Sequence, residues 1–330
     1  MSEIGFGGIP IIPLDHEAAV NVVRHCFSQG ITFFDTANMY GNSEKMIGDA
    51  LSSVRDKVVI ATKTIRRDRK GAAEHIALSL QHLKTDHIDL YQFHNVSKSE
   101  ELETILSADG AMRAVREAMA AGKIRHVGVT SHKIEVAIEA CQTGLMETLQ
   151  FPFNFVESEP AGALFRTARE QKMGLIAMKP LGGGLLDKPS LCFKFLQQFT
   201  DVVPIPGISK PEEIDEILTL YEDREPLSVQ EMAEIERIRS ELGEKFCHRC
   251  GYCQPCEQGV AITDILMFRS TAKRLPPHIA AMFSKKAMGT VDHCTECGEC
   301  VERCPYDLNI PVLIREVKQL YADILTASAG

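Results

Sequence analysis

The chain has 330 residues, 45% of them hydrophobic and 25% charged, with a formal charge of −9 at pH 7. This size and apolar content predict one large domain plus a small one, and the acidic balance argues against a nucleic-acid partner. No charged segment leading into an apolar core opens the chain and no uninterrupted apolar stretch reaches membrane-spanning length, so a cytoplasmic protein without membrane insertion is expected.

From residue 4 to about 221, short β-rich runs alternate with helical periodicity, which is the pattern of βα units around a parallel sheet. Strands are expected near Ile4–Ile9, Thr32–Asp35, Lys57–Thr62, His87–His94, Arg125–Thr130, Thr148–Phe151, Gly174–Met178 and Asp201–Pro204. Helical periodicity falls between them at Glu17–Gln29, Ala72–Leu83, Met112–Ala121, Val136–Cys141 and Ala161–Gln171, with Gly30, Gly122 and Gly144 as closing signals. Eight such units in roughly 220 residues fit an α/β (β/α)8 TIM barrel. An open doubly wound sheet would need G-x-G-x-x-G after its first strand, and Gly5-Phe6-Gly7-Gly8 lacks both that spacing and the helix behind it. The barrel is expected over 1–225 and a helical connector over 226–245, with its helix at Val229–Leu242. A small α-rich domain follows over 246–330, with helices near Ile265–Arg274, Ile279–Lys286 and Pro311–Thr326 and a break at Pro276-Pro277; its two four-cysteine runs, from Cys247 and from Cys294, carry the spacing of a ferredoxin-like iron–sulfur domain.

Chemistry in such a barrel sits at the C-terminal ends of the strands. Four polar residues lie there: Asp35 ends strand two, Tyr40 follows in the adjoining loop, Lys63 ends strand three and His94 ends strand four. Singly, an Asp after a strand is often a helix cap, a Lys is usually solvated, and a strand-end His is commonly a satisfied hydrogen-bonder. Together they make a coherent carbonyl reductase. A nearby ammonium is expected to lower the phenol pKa of Tyr40, Asp35 would fix Lys63, and His94 would orient the carbonyl that Tyr40 protonates. The run Arg66-Arg67-Asp68-Arg69-Lys70 reads as a solvated face or an attractor of anions, and Glu100-Glu101-Leu102-Glu103 as a solvated turn.

Phe33-Phe34-Asp35-Thr36-Ala37-Asn38-Met39-Tyr40-Gly41-Asn42-Ser43-Glu44, Ala61-Thr62-Lys63 and Leu90-Tyr91-Gln92-Phe93-His94 resemble the aldo-keto reductases, whose Asp, Tyr, Lys and His tetrad falls on Asp35, Tyr40, Lys63 and His94. The resemblance covers essentially residues 4 to 222. It implies a small carbonyl or alcohol substrate and NADP(H) as cofactor. Val203 to Glu213, with Gly207, resembles the nucleotide-phosphate loop, in which Ser209 and Lys210 would meet the 2′-phosphate. Ser131 and Gln150 match the positions that hold the nicotinamide carboxamide. Pro180, Leu181 and Gly182, opening a glycine run, match the loop over the pyrophosphate. His132 replaces the usual Asn, and Met178 stands where many members carry an aromatic ring.

Eight of the eleven cysteines form two runs, Cys247-x2-Cys250-x2-Cys253-x2-Cys256 and Cys294-x2-Cys297-x2-Cys300-x3-Cys304-Pro305. Thiolates at i, i+3 and i+6 can converge on three corners of a cuboidal cluster, while a fourth Cys before Pro serves a second cluster. Two [4Fe-4S] clusters with crossed ligation are expected: Cys247, Cys250, Cys253 and Cys304 for one, and Cys294, Cys297, Cys300 and Cys256 for the other. The second run resembles bacterial ferredoxins, whereas the first has Glu257 where the Pro would stand. Zinc is the rival reading, although a four-Cys zinc site uses two pairs rather than a run of four. Cys26, Cys141 and Cys192 are scattered among apolar neighbours and read as core residues of a reduced protein.

The two halves predict an oxidoreductase interconverting a carbonyl and an alcohol, linked through the clusters to ferredoxin or another one-electron partner. A flavin is a further cofactor that a barrel can accept. Two alternatives stand beside this: a conventional NADPH-dependent reductase with structural or redox-sensing clusters, and an electron-transfer subunit whose barrel is a scaffold. Substrate identity and oligomeric state are not encoded legibly.

Overall fold

The computed structural model describes residues 1–222, 224–242, 247, 251, 253–274, 276–304, 306 and 308–328. They form two compact units, one of residues 1–181 and 188–231, the other of 182–187 and 232–330.

The first unit is a parallel eight-stranded barrel: β1 (Phe6–Gly7), β2 (Phe33–Asp35), β3 (Val59–Thr64), β4 (Ile88–Phe93), β5 (Ile124–Thr130), β6 (Thr148–Pro152), β7 (Gly174–Met178) and β8 (Val202–Ile205), each paired to the next. Gly5 N donates to Pro204 O at 2.9 Å and Gly7 N to Pro206 O at 2.8 Å, which returns β8 to β1. The helices are α1 (His16–Ser28), α2 (Ser43–Leu51), α3 (Arg69–His82), α4 (Ser99–Leu106), α5 (Ala111–Ala120), α6 (Ile134–Gln142), α7 (Ala163–Glu170), α8 (Pro189–Leu196) and α9 (Pro211–Glu222). α10 (Val229–Leu242) runs across the division between the units.

Strand alternation sorts the barrel residues, because successive side chains point to opposite faces. Phe33, Ala61, Leu90, Ile176 and Ile205 form one apolar cluster, against which Val59, Met178 and Val203 pack. Two residues further along their strands come Asp35, Lys63 and Gln92, all buried. The same period that fills the core therefore sets a polar layer nearer the C-terminal ends. Lower down, buried Arg55 ties β3 to β4, donating to Asp89 Oδ2 at 2.6 Å, Val58 O at 3.0 Å and His87 O at 2.9 Å.

Several expectations change. β1 is shorter than Ile4–Ile9, and α2, α4 and α8 were not anticipated. α3 begins at Arg69 rather than Ala72 because Asp68 accepts the Gly71 amide at 2.7 Å and caps it. The acidic run Glu100 to Glu103 is no turn but the first half of α4, where carboxylates favour a helix N-terminus. The basic run is tied by ion pairs rather than evenly solvated: Arg67 to Glu101 at 3.2 Å and Arg69 to Glu117 at 2.7 Å.

In the second unit α11 (Ile262–Arg274), α12 (Pro277–Met288) and α14 (Ile310–Ser328) pack on one another around Ile265, Phe268, Ala280, Leu313 and Val317. A short α13 (Glu299–Glu302) precedes α14. Phe268 meets Tyr321 edge-on with centroids 5.2 Å apart. Pro277 opens α12 at a first-turn position where its missing N–H costs no helical bond. The Gly182–Asp187 segment, which lies in the chain between β7 and α8, belongs to this unit, and Ser270 Oγ donates to Gly184 O at 2.9 Å. No helix among the described residues is long and apolar enough to cross a membrane.

The barrel interior leaves no room for a methyl group at Gly128, whose added Cβ would lie 2.1 Å from Thr148 Oγ1 and 3.3 Å from Gln92 Cγ. Gly128→Ala is expected to destabilise the protein by about 1–3 kcal/mol through overpacking. Urea unfolding of the variant checks this, and an unchanged midpoint would count against the packing described.

Candidate active site

The loop from β2 to α2 is built to hold Tyr40 over the polar layer. Asn38 N donates to Lys63 O at 3.1 Å, Tyr40 N donates to Ala37 O at 2.9 Å, and Gly41 follows with a φ of +53° that suits glycine. Ser43 and Glu44 pin the far side. Ser43 Oγ donates to Gly8 O at 3.0 Å, and buried Glu44 accepts from Thr62 Oγ1 at 2.6 Å and pairs with His82 Nδ1 at 3.1 Å.

Within that frame the four expected residues come together. Lys63, with a side chain 0% exposed, donates its Nζ to Asp35 Oδ2 and to Thr36 O, both at 2.6 Å. Nζ also lies 5.1 Å from the centroid of the Tyr40 ring. Tyr40 Oη is 3.4 Å from His94 Nε2, with the two rings edge-on at 80°. His94 Nδ1 is buried and has no hydrogen-bond partner among the described residues.

Gln92 was not anticipated. It sits two residues before His94 on the inward face of β4, fully buried, and its Nε2 donates to Asp35 Oδ1 at 3.3 Å and to Gln150 Oε1 at 2.9 Å. The period-2 rule puts Gln92 on the same face as Leu90 and His94, and that was the available signal. Arg67 is a second unforeseen member. Its Nη2 donates to His94 O at 2.8 Å and Asn95 O at 3.1 Å, which fixes the backbone that carries His94.

Burial dominates the electrostatics. It pushes the Asp35 carboxyl up and the Lys63 ammonium down, each opposed by the partner's charge. His94 is pushed down to about 3, first by burial and then by the positive charges of Lys63 and Arg67. The expected lowering of the Tyr40 phenol is not found. Burial, and then the Asp35 carboxylate, hold it well above the usual tyrosine range. The reason is geometric: the Lys63 ammonium is directed at Asp35 and Thr36 and lies under the face of the phenol ring.

The expected cofactor positions divide. Ser131, just after β5, and Gln150, in the middle of β6, are buried neighbours joined by Ser131 N to Gln150 O at 3.2 Å, and the Gln150 side chain is engaged with Gln92. His132 lies between Asn95 Oδ1 at 3.0 Å and Lys179 Nζ at 3.2 Å; the ammonium can only donate, so Nε2 accepts and Nδ1 carries the proton. Gly207 bridges to Gly7, and a Cβ there would stand 2.6 Å from Pro10 Cγ. Pro180 and Leu181 belong to the first unit and Gly182 to the second. Ser209 and Lys210 open the turn before α9, where both amides donate to Glu213.

In the second unit Cys256, Cys294, Cys297 and Cys300 line one pocket together with Val260 and Ile314. Glu296 (φ +55°) and Gly298 (φ +84°) are left-handed, and these two reversals curl the Cys294 to Cys300 loop around that pocket. Burial and then the neighbouring Cys294, Cys297 and Cys256 raise the Cys300 thiol, which marks four sulfurs close enough to feel one another. Four thiols around one pocket, with apolar backing, are the donor set that suits a [4Fe-4S] cluster, and ligation would relieve the repulsion among their thiolates. Of the other expected set, Cys247, Cys253 and Cys304 pack against the same core as these, and Cys250 lies outside the described residues.

Residues 3–191, more than half of the chain, match the aldo/keto reductase family, and residues 246–309 match the 4Fe-4S dicluster domain, which sets the zinc reading aside. The chain is 31% identical over 186 residues to the aldo-keto reductase YhdN of Bacillus subtilis (strain 168), covering 52% of this chain and 54% of that protein. It is also 31% identical over 207 residues to the aldo-keto reductase str7 of Strobilurus tenacellus, covering 56% and 60%. It thus spans little more than half the length of these curated relatives. Among solved structures, an aldo-keto reductase from Klebsiella pneumoniae in complex with NADPH superposes with a TM-score of 0.63 at 21% identity, over 72% of this chain and 91% of that one. A Bacillus halodurans aldo-keto reductase in its holo form gives 0.63 at 22%, over 72% and 92%, and these two likenesses speak for the barrel fold. The chain is a member of the aldo/keto reductase family of oxidoreductases, and it carries a 4Fe-4S dicluster domain C-terminal in sequence to its barrel.

Proposed function

We propose that this protein interconverts a small carbonyl compound and its alcohol with NADP(H), and exchanges electrons with a one-electron partner such as a ferredoxin through two [4Fe-4S] clusters. In this reading the barrel occupies 1–225, a connector 226–245 and the cluster domain 246–330. The observation that carries it is the Tyr40 hydroxyl 3.4 Å from His94 Nε2 above the buried Lys63–Asp35 pair. The NADPH named with the Klebsiella pneumoniae relative supports the choice of cofactor.

Tyr40 is the group that gives and takes the proton. Its raised pKa keeps it protonated across the neutral range, so it stands ready as an acid for carbonyl reduction. The Lys63 ammonium lies 5.1 Å from the centre of the Tyr40 ring, held there by Asp35 and Thr36, with Gln92 bonded to the other oxygen of Asp35. His94 stays neutral and can donate one hydrogen bond to a carbonyl oxygen. Ser131 and Gln150 would receive the nicotinamide carboxamide, with Pro180, Leu181 and Gly182 near the pyrophosphate and Gly207, Ser209 and Lys210 at the adenosine end. When bound, NADPH would supply a hydride to the carbonyl carbon; each cluster carries one electron, so exchange between this site and the clusters would need an intermediary that takes a hydride and releases single electrons, such as a flavin. Cys247, Cys250, Cys253 and Cys304 would hold one cluster and Cys256, Cys294, Cys297 and Cys300 the other.

Tyr40→Phe is expected to lower kcat by about 10²–10⁴-fold, the contribution typical of a positioned acid, while dinucleotide affinity stays nearly unchanged. Steady-state kinetics alongside a binding titration test this, and near-full turnover would rule the role out. A second expectation concerns acid. The folded-state pKa of His94 lies below its unfolded value, so its neutral burial contributes stability above about pH 6.5 that is lost as pH falls toward 3. Chemical unfolding between pH 7.5 and 5 should show His94→Asn losing less stability than the wild type, by up to about 1.4 kcal/mol per pH unit; equal slopes would contradict the burial argument. Anaerobic NADPH titration of the cluster-loaded protein, followed by visible absorbance and electron paramagnetic resonance, addresses the link between the halves. Bleaching with a reduced-cluster signal is the expected result. Binding of NADPH with clusters left oxidised would favour a conventional reductase with structural or sensing clusters.

A further inference from the structure

The loop after β8 and the first turn of α9 make the corner where (β/α)8 barrels often hold a phosphate, between the last βα loops and a helix N-terminus. Ser209 and Lys210 are the residues that would offer it donors. In this structure those donors are engaged. Glu213 Oε2 accepts the Ser209 amide at 2.6 Å and the Lys210 amide at 3.2 Å, and the Ser209 hydroxyl donates to the same carboxylate at 3.1 Å and 3.3 Å. Glu213 is the third residue of α9, so its side chain folds back over amides that lack intrahelical acceptors. Beneath it Ile214 is fully buried, which anchors this turn, and Glu212 adds a further acid to the same turn.

A ribose 2′-phosphate placed on these donors would have to displace a carboxylate from all three and then remain beside it, an anion against a dianion. The Lys210 side chain is exposed, while its amide is taken by the Glu213 carboxylate. A ribose 2′-hydroxyl meets the opposite situation. It has a proton to give, and a carboxylate is the acceptor that nucleotide sites use for that group.

We propose that Glu213 is a specificity-determining residue of the dinucleotide site, occupying the donors of the 2′-phosphate position and shifting the preference from NADPH toward NADH. The inference rests on the reading above that a nicotinamide dinucleotide binds in the barrel with its adenosine end at Ser209 and Lys210, and it revises the coenzyme named there by reducing the advantage of NADPH over NADH. Glu213→Gln separates charge from structure, because the amide oxygen can still accept the same hydrogen bonds and cap α9. NADPH and NADH are titrated separately into the cluster-loaded wild type and variant, with dihydronicotinamide fluorescence as the readout. The variant should bind NADPH about tenfold more tightly and NADH within about twofold of the wild type, as expected for removing one like charge near a partly exposed phosphate. Glu213→Ala, which also removes the cap, should show the same selective gain together with a lower melting temperature. A ratio of NADPH to NADH affinity unchanged in both variants, with both coenzymes binding, overturns the inference and leaves the dinucleotide reading standing. Failure of the wild type and the variants to bind either coenzyme overturns both.

Discussion

Everything in the barrel site hangs on one buried ion pair. Lys63 and Asp35 face each other at 2.6 Å with almost no exposure, in a layer directly above an apolar core. Taking two such charges from water costs several kcal/mol each, and their attraction offsets this only where the remaining hydrogen-bonding capacity is met. Here the Thr36 carbonyl takes a second ammonium proton and the Gln92 amide serves the other carboxylate oxygen. Removing one partner of such a pair typically costs about 3–5 kcal/mol, so the pair constrains the sequence around it as much as it enables chemistry. Gln92 in turn is held by Gln150, and a Cβ at Gly128 would stand 3.3 Å from its Cγ. The polar layer is a packed object rather than four separate side chains.

The strands were legible because barrel strands carry their periodicity openly: Phe33 and Asp35, Ala61 and Lys63, and Leu90, Gln92 and His94 each step two residues along one face. The same periodicity explains why Asp35, Lys63 and His94 could be placed at strand ends without coordinates. What escaped was set by contacts of long sequence separation. α2 and α4 are short helices of 9 and 8 residues whose existence depends on docking, Glu44 on Thr62 and His82, and Glu101 on Arg67. Propensity alone is weak over so short a span. The protonation state of Tyr40 escaped for a related reason. A lysine near a tyrosine suggests a lowered pKa, yet whether the ammonium points at the oxygen or lies under the ring is a fact of three dimensions.

The cysteine runs were legible at a different level. Spacing alone separates clustered thiols from core cysteines, since Cys26 and Cys141 are buried single residues of α1 and α6 whose thiols burial holds well above their usual range. The turn conformations that make the spacing effective appear only in the fold: left-handed Glu296 and Gly298 reverse the chain twice within seven residues, so that Cys294, Cys297 and Cys300 face one pocket. A glycine tolerates that conformation freely and a glutamate does not, so the loop carries a backbone cost at Glu296 that ligation can offset.

Anion handling links these observations. At Asp35 the chain buries a carboxylate and meets it with donors from Lys63 and Gln92; at Glu213 it folds a carboxylate onto the amides that open α9. The two solutions differ in what they leave for a ligand. Around Asp35 the charge is enclosed and helps to raise the Tyr40 phenol, and the phenol oxygen stands 3.4 Å from the imidazole of His94. At α9 the half-buried carboxylate occupies the donors of Ser209 and Lys210, so a ligand placed there as proposed must either accept its presence by donating a hydrogen bond or displace it. Hydroxyl and phosphate are chemically opposite answers to that choice. Under the proposed dinucleotide reading, selectivity at the adenosine end follows from the capping of a helix, so a structural requirement of α9 and the choice of coenzyme fall on one carboxylate.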